Sequence, residues 1–288
     1  MNKKINYVIS FFQKKLKILK DINFLFGIIF LTILLFFILF KKILNLPDPF
    51  SCDYKILQNI NSKHWMGTDD IGYDLFTRFL EGAKISLQIS FFVTIISGFV
   101  GVCLGIISGY FQGFIDNIIV FLCDFLTVIP DIILAILIML LLNDKRDIKT
   151  LVMVLSISYL PSYIRIIRAN TLIIKQKDFI KASKALGANQ FQIIKRHIFP
   201  NILTNLITKM IFNMSNVILA ISGLGFIGLG LDRTKPEWGN ILSSSKNYIM
   251  NYPHLFYGPF IIIFLTILSF NLIGKSLIQH FENKKNSY

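Results

Sequence analysis

The chain has 288 residues, of which 54% are hydrophobic and only 16% charged, with a mean hydropathy of +0.62. Soluble domains carry about 25% charge, so a soluble enzyme and a disordered chain are both excluded and a polytopic membrane protein is implied. The formal net charge is +14, from 30 Lys and Arg against 16 Asp and Glu. The basic residues flank apolar runs, which points to topology and anionic lipid rather than to nucleic acid.

Residues 1–21 carry Ile5, Val8, Ile9, Phe12, Leu16 and Leu19 at helical spacing, with Lys4, Lys14, Lys15 and Lys17 largely off that stripe. This predicts an amphipathic tail on the inner leaflet. Residues 22–40 hold no charge and are long enough to span a bilayer. A secretory signal has an apolar core of only about 7–15 residues, so the run is expected to be retained as the first transmembrane helix. An extracytoplasmic segment is expected over 41–84, then a five-helix core over 85–280 and a short tail over 281–288. The five further apolar runs are about 85–110, 117–142, 150–167, 202–231 and 256–277. Six spans place both termini on one side. With that side as cytoplasm, the inner segments hold 17 Lys and Arg against four acids, and the outer segments hold 12 against ten. The positive-inside rule therefore puts both termini in the cytoplasm.

The loop over 171–201 has more pattern than a connector needs. Asp178 is placed to cap a short helix whose apolar side is Phe179, Ala182, Ala185 and Leu186. Gly187 suits a left-handed stop. A second helix over 190–197 would carry Phe191, Ile194 and Ile198 on one face, and Pro200 would end it before the next span. Such a helix–Gly–helix unit suits docking in a partner's groove; an amphipathic unit resting on lipid is the alternative.

Asp124 and Asp131 fall in the third span with Pro130 between them. An acid in the bilayer costs at least about 2.5 kcal/mol on insertion scales and marks a functional position by default. Seven residues apart on one straight helix, the two would share a face. They are expected at a translocation path or subunit interface, with helix capping or a proton relay as alternatives. Trp238 and His254 are expected as surface or interface residues of outer segments.

Three stretches resemble the permease subunits of ATP-binding-cassette importers. The first is the loop just described, where Ala182, Gly187 and Pro200 match the coupling loop of that family. Lys181 stands where Glu is common, Ser183 replaces an Ala, and His197 and Phe199 replace aliphatics. The second runs from His64 through Gly67-Thr68-Asp69-Asp70-Ile71-Gly72-Tyr73-Asp74 to Arg78, Gly82 and Ser86. It is similar to the segment before the second span in oligopeptide and dipeptide permeases, with Tyr73 in place of an Arg, and Thr77 and Lys84 as milder changes. Turn chemistry at Thr68 and Asp69, a cap at Asp74 and a helix ending at Gly82 would make it a brace rather than a metal or catalytic site. The third is Gly223, Gly225, Gly228 and Gly230 followed by Pro236-Glu237-Trp238-Gly239. Asp124 and Pro130 also match the family's third span, whereas Asp131 departs from it.

The resemblance implies an all-α, six-helix type I permease fold of the C-type member in the oligopeptide/dipeptide/nickel branch, in the bacterial inner membrane. It implies an ATP-driven peptide transporter completed by a second, non-identical permease, two cytoplasmic ATPase domains and an extracytoplasmic binding protein. Asp178, Lys181, Ala182, Ser183, Gly187, His197 and Pro200 would form the coupling loop. The chain has no P-loop. It is therefore not expected to be an enzyme: no catalytic residue, cofactor or metal is assigned to it, and ATP and Mg belong to the partner ATPases. An antimicrobial-peptide-resistance or polyamine branch of the same family remains an alternative. So does a proton-coupled secondary transporter using Asp124 and Asp131.

Overall fold

The computed structural model describes residues 21–41, 43–142, 146–232 and 234–285, with side chains described as far as 281. The tail expected over 1–21 lies outside them apart from Asp21. The described residues are helical, with one isolated bridge between Thr68 and Asp74. The long helices are α1 (Ile22–Phe40), α2 (Leu75–Phe111), α5 (Ile148–Lys175), α8 (Phe199–Ile227) and α10 (Pro253–Lys285). Between them lie α3 (Gly113–Thr127), α4 (Asp131–Leu141), α6 (Asp178–Ala185), α7 (Gln190–Ile193) with a π-turn over Ile194–Ile198, and α9 (Trp238–Ser245). Five helical segments among the described residues are long and apolar enough to cross a membrane, or six if the bent pair α3 and α4 is one span.

Capping side chains set several starts. Asp21 Oδ1 accepts from Asn23 N at 2.9 Å ahead of α1, and Asp147 Oδ1 accepts from Thr150 N at 2.6 Å ahead of α5. Asp74 does the same for α2, accepting from Thr77 N at 2.8 Å and Thr77 Oγ1 at 2.9 Å. The expected stop at Gly82 is absent: α2 runs on for 37 residues. Gly82 is instead a point of close approach, where a Cβ would strike the carbonyl oxygen of Pro236.

The third apolar run is not one straight helix. α3 and α4 meet at 91° across residues 128–130. Pro130 (φ −53°, ψ 139°) has no N–H to continue α3, and it opens α4 instead. Asp124 and Asp131 therefore lie on two helices, and the shared face expected of them does not exist.

The chain forms two compact units, residues 88–220 and residues 1–87 with 221–288. In the second, α1 packs on α10, and a Cβ on Gly27 would come within 2.7 Å of Ser269 O. In the first, α3 and α4 lie against α5. There α2 also presents Gly101, Gly105 and Gly109 to Tyr163, Ile167 and Thr171 of α5. Small residues at every fourth position let two helices approach closely in lipid, where dispersion replaces the hydrophobic effect as the driving force.

Candidate functional site

The loop between α5 and α8 divides its apolar residues into two sets. Ile180, Ile193 and Ile198 are almost fully buried and join Tyr110, Ile167 and Ile202 in one cluster. Phe179, Leu186 and Phe191 are exposed, Leu186 at 88% and Phe191 at 71%. Ala182 and Ala185 lie on the exposed side with them. The face expected to hold Phe191 with Ile198 is thus split: Ile198 anchors the loop and Phe191 projects from it. Ile180, absent from the sequence-based pattern, is the anchor of α6.

Asp178 is the first residue of α6 rather than its cap; Lys177 holds the cap position with no side-chain bond. At that first turn the carboxylate still favours the positive end of the helix dipole. It also accepts from Lys181 Nζ at 3.0 Å in an exposed pair. Gly187 follows with φ +84°, the left-handed stop read from the sequence. Asn189 then opens α7 through a reciprocal capping box with Gln192 (2.8 and 3.1 Å). Ser183 Oγ and His197 Nε2 lie 3.3 Å apart, joining α6 to the π-turn.

Pro200 does not end this helix. Phe199 N donates to Ile194 O, five residues back, so the turn widens just where the proline ring would strike a carbonyl. Asn201 Nδ2 donates to His197 O at 2.7 Å. The helix therefore runs continuously from Gln190 to Ile227.

The loop's root is fixed by polar contacts. Lys175 Nζ donates to Tyr110 O at 2.6 Å and to Gln112 Oε1 at 3.1 Å. Arg168 grips Asp116 in a two-pronged pair, Nε to Oδ1 at 2.6 Å and Nη2 to Oδ2 at 2.7 Å, and Ser108 Oγ also donates to that carboxylate. Such forked pairs fix orientation as well as charge. Arg165 Nη2 donates to Asp124 Oδ1 and Thr127 Oγ1, both at 2.7 Å, in an exposed cluster. Asp124 therefore has a cation partner, supplied by α5 rather than by its own helix. Asp131 is exposed on α4, in electrostatic reach of Lys209 on α8. No straight-line reading of the sequence links residues 38 or more positions apart, so these pairings lie beyond its reach. Only the placement of two Arg three apart in α5 hints at them.

The stretch from His64 to Arg78 is braced as its turn chemistry suggests. Asp69 Oδ1 accepts from Ile71 N at 3.0 Å and Tyr73 N at 2.8 Å. Asp74 Oδ2 lies 2.8 Å from His64 Nδ1. Burial raises the Asp69 carboxyl above its ordinary value, against these backbone bonds and the nearby Arg78 charge. Trp238 is not a surface residue. It is fully buried, stacked on Phe79 with ring centres 5.2 Å apart, and its indole N–H donates to Phe79 O at 3.2 Å. Beside it Glu237 caps α9, accepting from Gly239 N at 2.9 Å and Asn240 N at 3.2 Å. Ser86 Oγ donates to the same carboxylate at 3.4 Å. Complete burial pushes the Glu237 carboxyl up to about 7, with those donors opposing the rise.

The arrangement suits mechanical coupling: a loop anchored inward, apolar outward, and rooted on three helices by ion pairs and hydrogen bonds. Residues 101–287 match the family described as binding-protein-dependent transport system inner membrane component. The chain is similar to the glutathione transport system permease protein GsiD of Pectobacterium atrosepticum, at 32% identity over 236 residues, covering 82% of this chain and 78% of that protein. It is 34% identical over 233 residues to GsiD of Escherichia coli, covering 81% and 76%. Membership of that family displaces the proton-coupled secondary transporter, whose paired acids on one helix face the bend at Pro130 had already removed. The chain therefore belongs to the binding-protein-dependent inner-membrane components, as a multi-pass permease of the peptide/oligopeptide ABC importer family that is not itself an enzyme.

Proposed function

We propose that this permease carries peptides across the inner membrane, with both termini cytoplasmic, as the C-type half of a heterodimer. Two ATPase domains bind ATP and Mg and close on the loop over 171–201, and an extracytoplasmic binding protein delivers the peptide. One observation carries this reading: an ordered loop that exposes Phe179, Leu186 and Phe191 while burying Ile180, Ile193 and Ile198. Exposed large apolar side chains on an ordered, polar-rimmed loop mark a protein contact. The glutathione permeases among its relatives support a peptide-type cargo. Asp178, Lys181, Ala182, Ser183, Gly187, His197 and Pro200 shape or border the docking surface. Asp124, Pro130 and Asp131 belong to the path or to the permease–permease contact, where the bend between α3 and α4 lies.

The test is purification of the tagged chain from its native membrane in mild detergent, with mass spectrometry of its companions and uptake assays in cells lacking it. Recovery of P-loop ATPases and a second permease, with labelled peptide uptake restored by the chain, is the expected result. Recovery of ATPases with uptake of polyamine but not peptide would overturn the cargo. Recovery of no ATPase, from membranes where another importer stays intact, would overturn the coupling role.

A further inference from the structure

The glycines that bring α2 and α5 together lie in the later part of α2. A Cβ on Gly101, Gly105 or Gly109 would press on Tyr163, Ile167 or Thr171. Before Gly101, toward the start of α5, a groove of about 540 Å³ opens between the same two helices. Its wall is Phe92, Ile96 and Val100 of α2 against Val152, Ile157 and Leu160 of α5, with few polar groups among them. Ser97 Oγ is spent on Ser156 O at 3.0 Å, and Ser156 Oγ is buried beneath the wall. Of the described residues lining the groove, Lys149 alone is charged, and it is exposed. Asp147, two residues before it, is outside the wall and accepts from Thr150 N as the cap of α5.

The dimensions decide what can fill it. From Ile148 to Leu160 the groove follows α5 for about 18 Å at the helical rise. One leaflet of a bilayer has a hydrocarbon depth of about 15 Å. Lys149, at the end of the groove, therefore falls at the level of the headgroups, where a long basic side chain near a helix end keeps its charge in the interface. Spread over its length, 540 Å³ is a mean section of about 30 Å², against about 80 Å² for a helix 10 Å across. The groove is too narrow to seat a helix and wide enough for a single hydrocarbon chain. We propose that it binds one acyl chain of an anionic phospholipid, with Lys149 holding the headgroup phosphate. A zwitterionic head carries its own ammonium beside the phosphate, whereas an anionic head leaves that charge to the lysine. The assignment goes beyond the transport reading, because it rests on two spanning helices and not on the coupling loop or the cargo. On the orientation proposed above, the chain belongs to the outer leaflet.

The tagged chain, purified with the companions it retains, is placed in nanodiscs of phosphatidylglycerol or phosphatidylethanolamine carrying a photoreactive diazirine in mid-chain. Labelled residues are read by mass spectrometry. Phe99 and Phe121, exposed at 71% and 68% and outside the groove, report random contact with lipid. Label over 92–100 other than Phe99, and over 152–160, should exceed theirs. Phosphatidylglycerol should label the groove about fivefold more than phosphatidylethanolamine, the worth of one lysine at an anionic surface. Lys149→Gln should bring the two lipids level and keep the chain label. Val152→Trp, which fills the groove from α5, should lower its label to the level of Phe99 and Phe121 with both lipids. Ile96→Trp fills it from α2 and takes its place if that variant does not melt normally. Groove label no greater than at the two control residues overturns the proposal. So does equal labelling by the two lipids in the native chain, or label undiminished in a filled variant. Label that appears only once a second permease is stripped away would assign the groove to that partner and overturn it too.

Discussion

At the scale of single residues, burial and backbone conformation set the energetics. Glu237 is held fully buried on the amides of α9, and its carboxyl titrates near 7 instead of in the ordinary carboxylate range. The folded chain therefore keeps a proton that the unfolded chain has lost between about 4.5 and 7. The stabilising contribution is complete below about 4.5 and is lost as pH rises through about 7, a change on the order of 3 kcal/mol. Melting temperature should fall between about pH 5 and pH 8 in the native chain and change little in Glu237→Gln, which keeps an acceptor for the cap and removes the titration. Gly187 is a different case. A Cβ there would meet no atom within 4 Å, yet φ is +84°. The cost of substitution is one of backbone, about 1–2 kcal/mol for an L residue in the left-handed region and less for Asn. Gly187→Val should insert normally and lose most uptake, because relaxing φ re-aims α6 against α7; Gly187→Asn should retain a substantial share. Equal uptake in both would show that the bend plays no part in transport.

At the scale of elements, hydropathy read along the chain located the candidate spans because a bilayer demands about 20 apolar residues whatever their partners. It could not tell where helices start or break. α2 begins at Leu75, set by Asp74 and Thr77, ten residues before its apolar run begins. Pro130 was visible as a proline, but its 91° consequence depends on how α3 and α4 each pack on α5. Proline breaks a regular i to i−4 ladder, which is why a stop is expected at Pro200; the π-turn supplies a ladder that it does not break. The Gly101, Gly105 and Gly109 repeat lies within an apolar run. Its meaning appears only against α5, where a Cβ on Gly105 would lie 2.8 Å from Ile167 Cβ and 2.9 Å from Ile164 O. Gly105→Ala should therefore destabilise by about 1–3 kcal/mol through overpacking. The same change at Gly223, where no atom lies within 4 Å, should stabilise or leave the helix unchanged by a few tenths of a kcal/mol. Denaturation in mixed micelles compares the two.

At the scale of the whole molecule, the question is how a push on one loop becomes movement of helices. The parts of the candidate site that sequence revealed were the local ones: a glycine stop and apolar residues at helical spacing. The parts it hid were tertiary, since neither Ile180 anchoring α6 nor Arg168 gripping Asp116 is encoded by spacing. On the coupling reading proposed above, together they would let the loop transmit force. Three buried isoleucines tie α6, α7 and the π-turn to the helices beneath, and the Asp116–Arg168 fork ties α3 to α5. A load applied to the exposed side chains is thus shared by packed elements, because close-packed interiors shift as units instead of deforming. Leu186 and Phe191 are the outward ends of this linkage. Replacing both with Ser removes side chains that the chain itself barely buries, so melting temperature should stay within about a degree or two. If an ATPase covers them, each contributes about 1.5–3 kcal/mol to docking, so the double variant should lose at least tenfold in ATPase recovery. Peptide uptake should fall with it, while membrane insertion is unchanged. Retained ATPase with normal uptake would place the contact elsewhere on the chain, and lost ATPase together with a collapsed melting temperature would show that these side chains serve the fold.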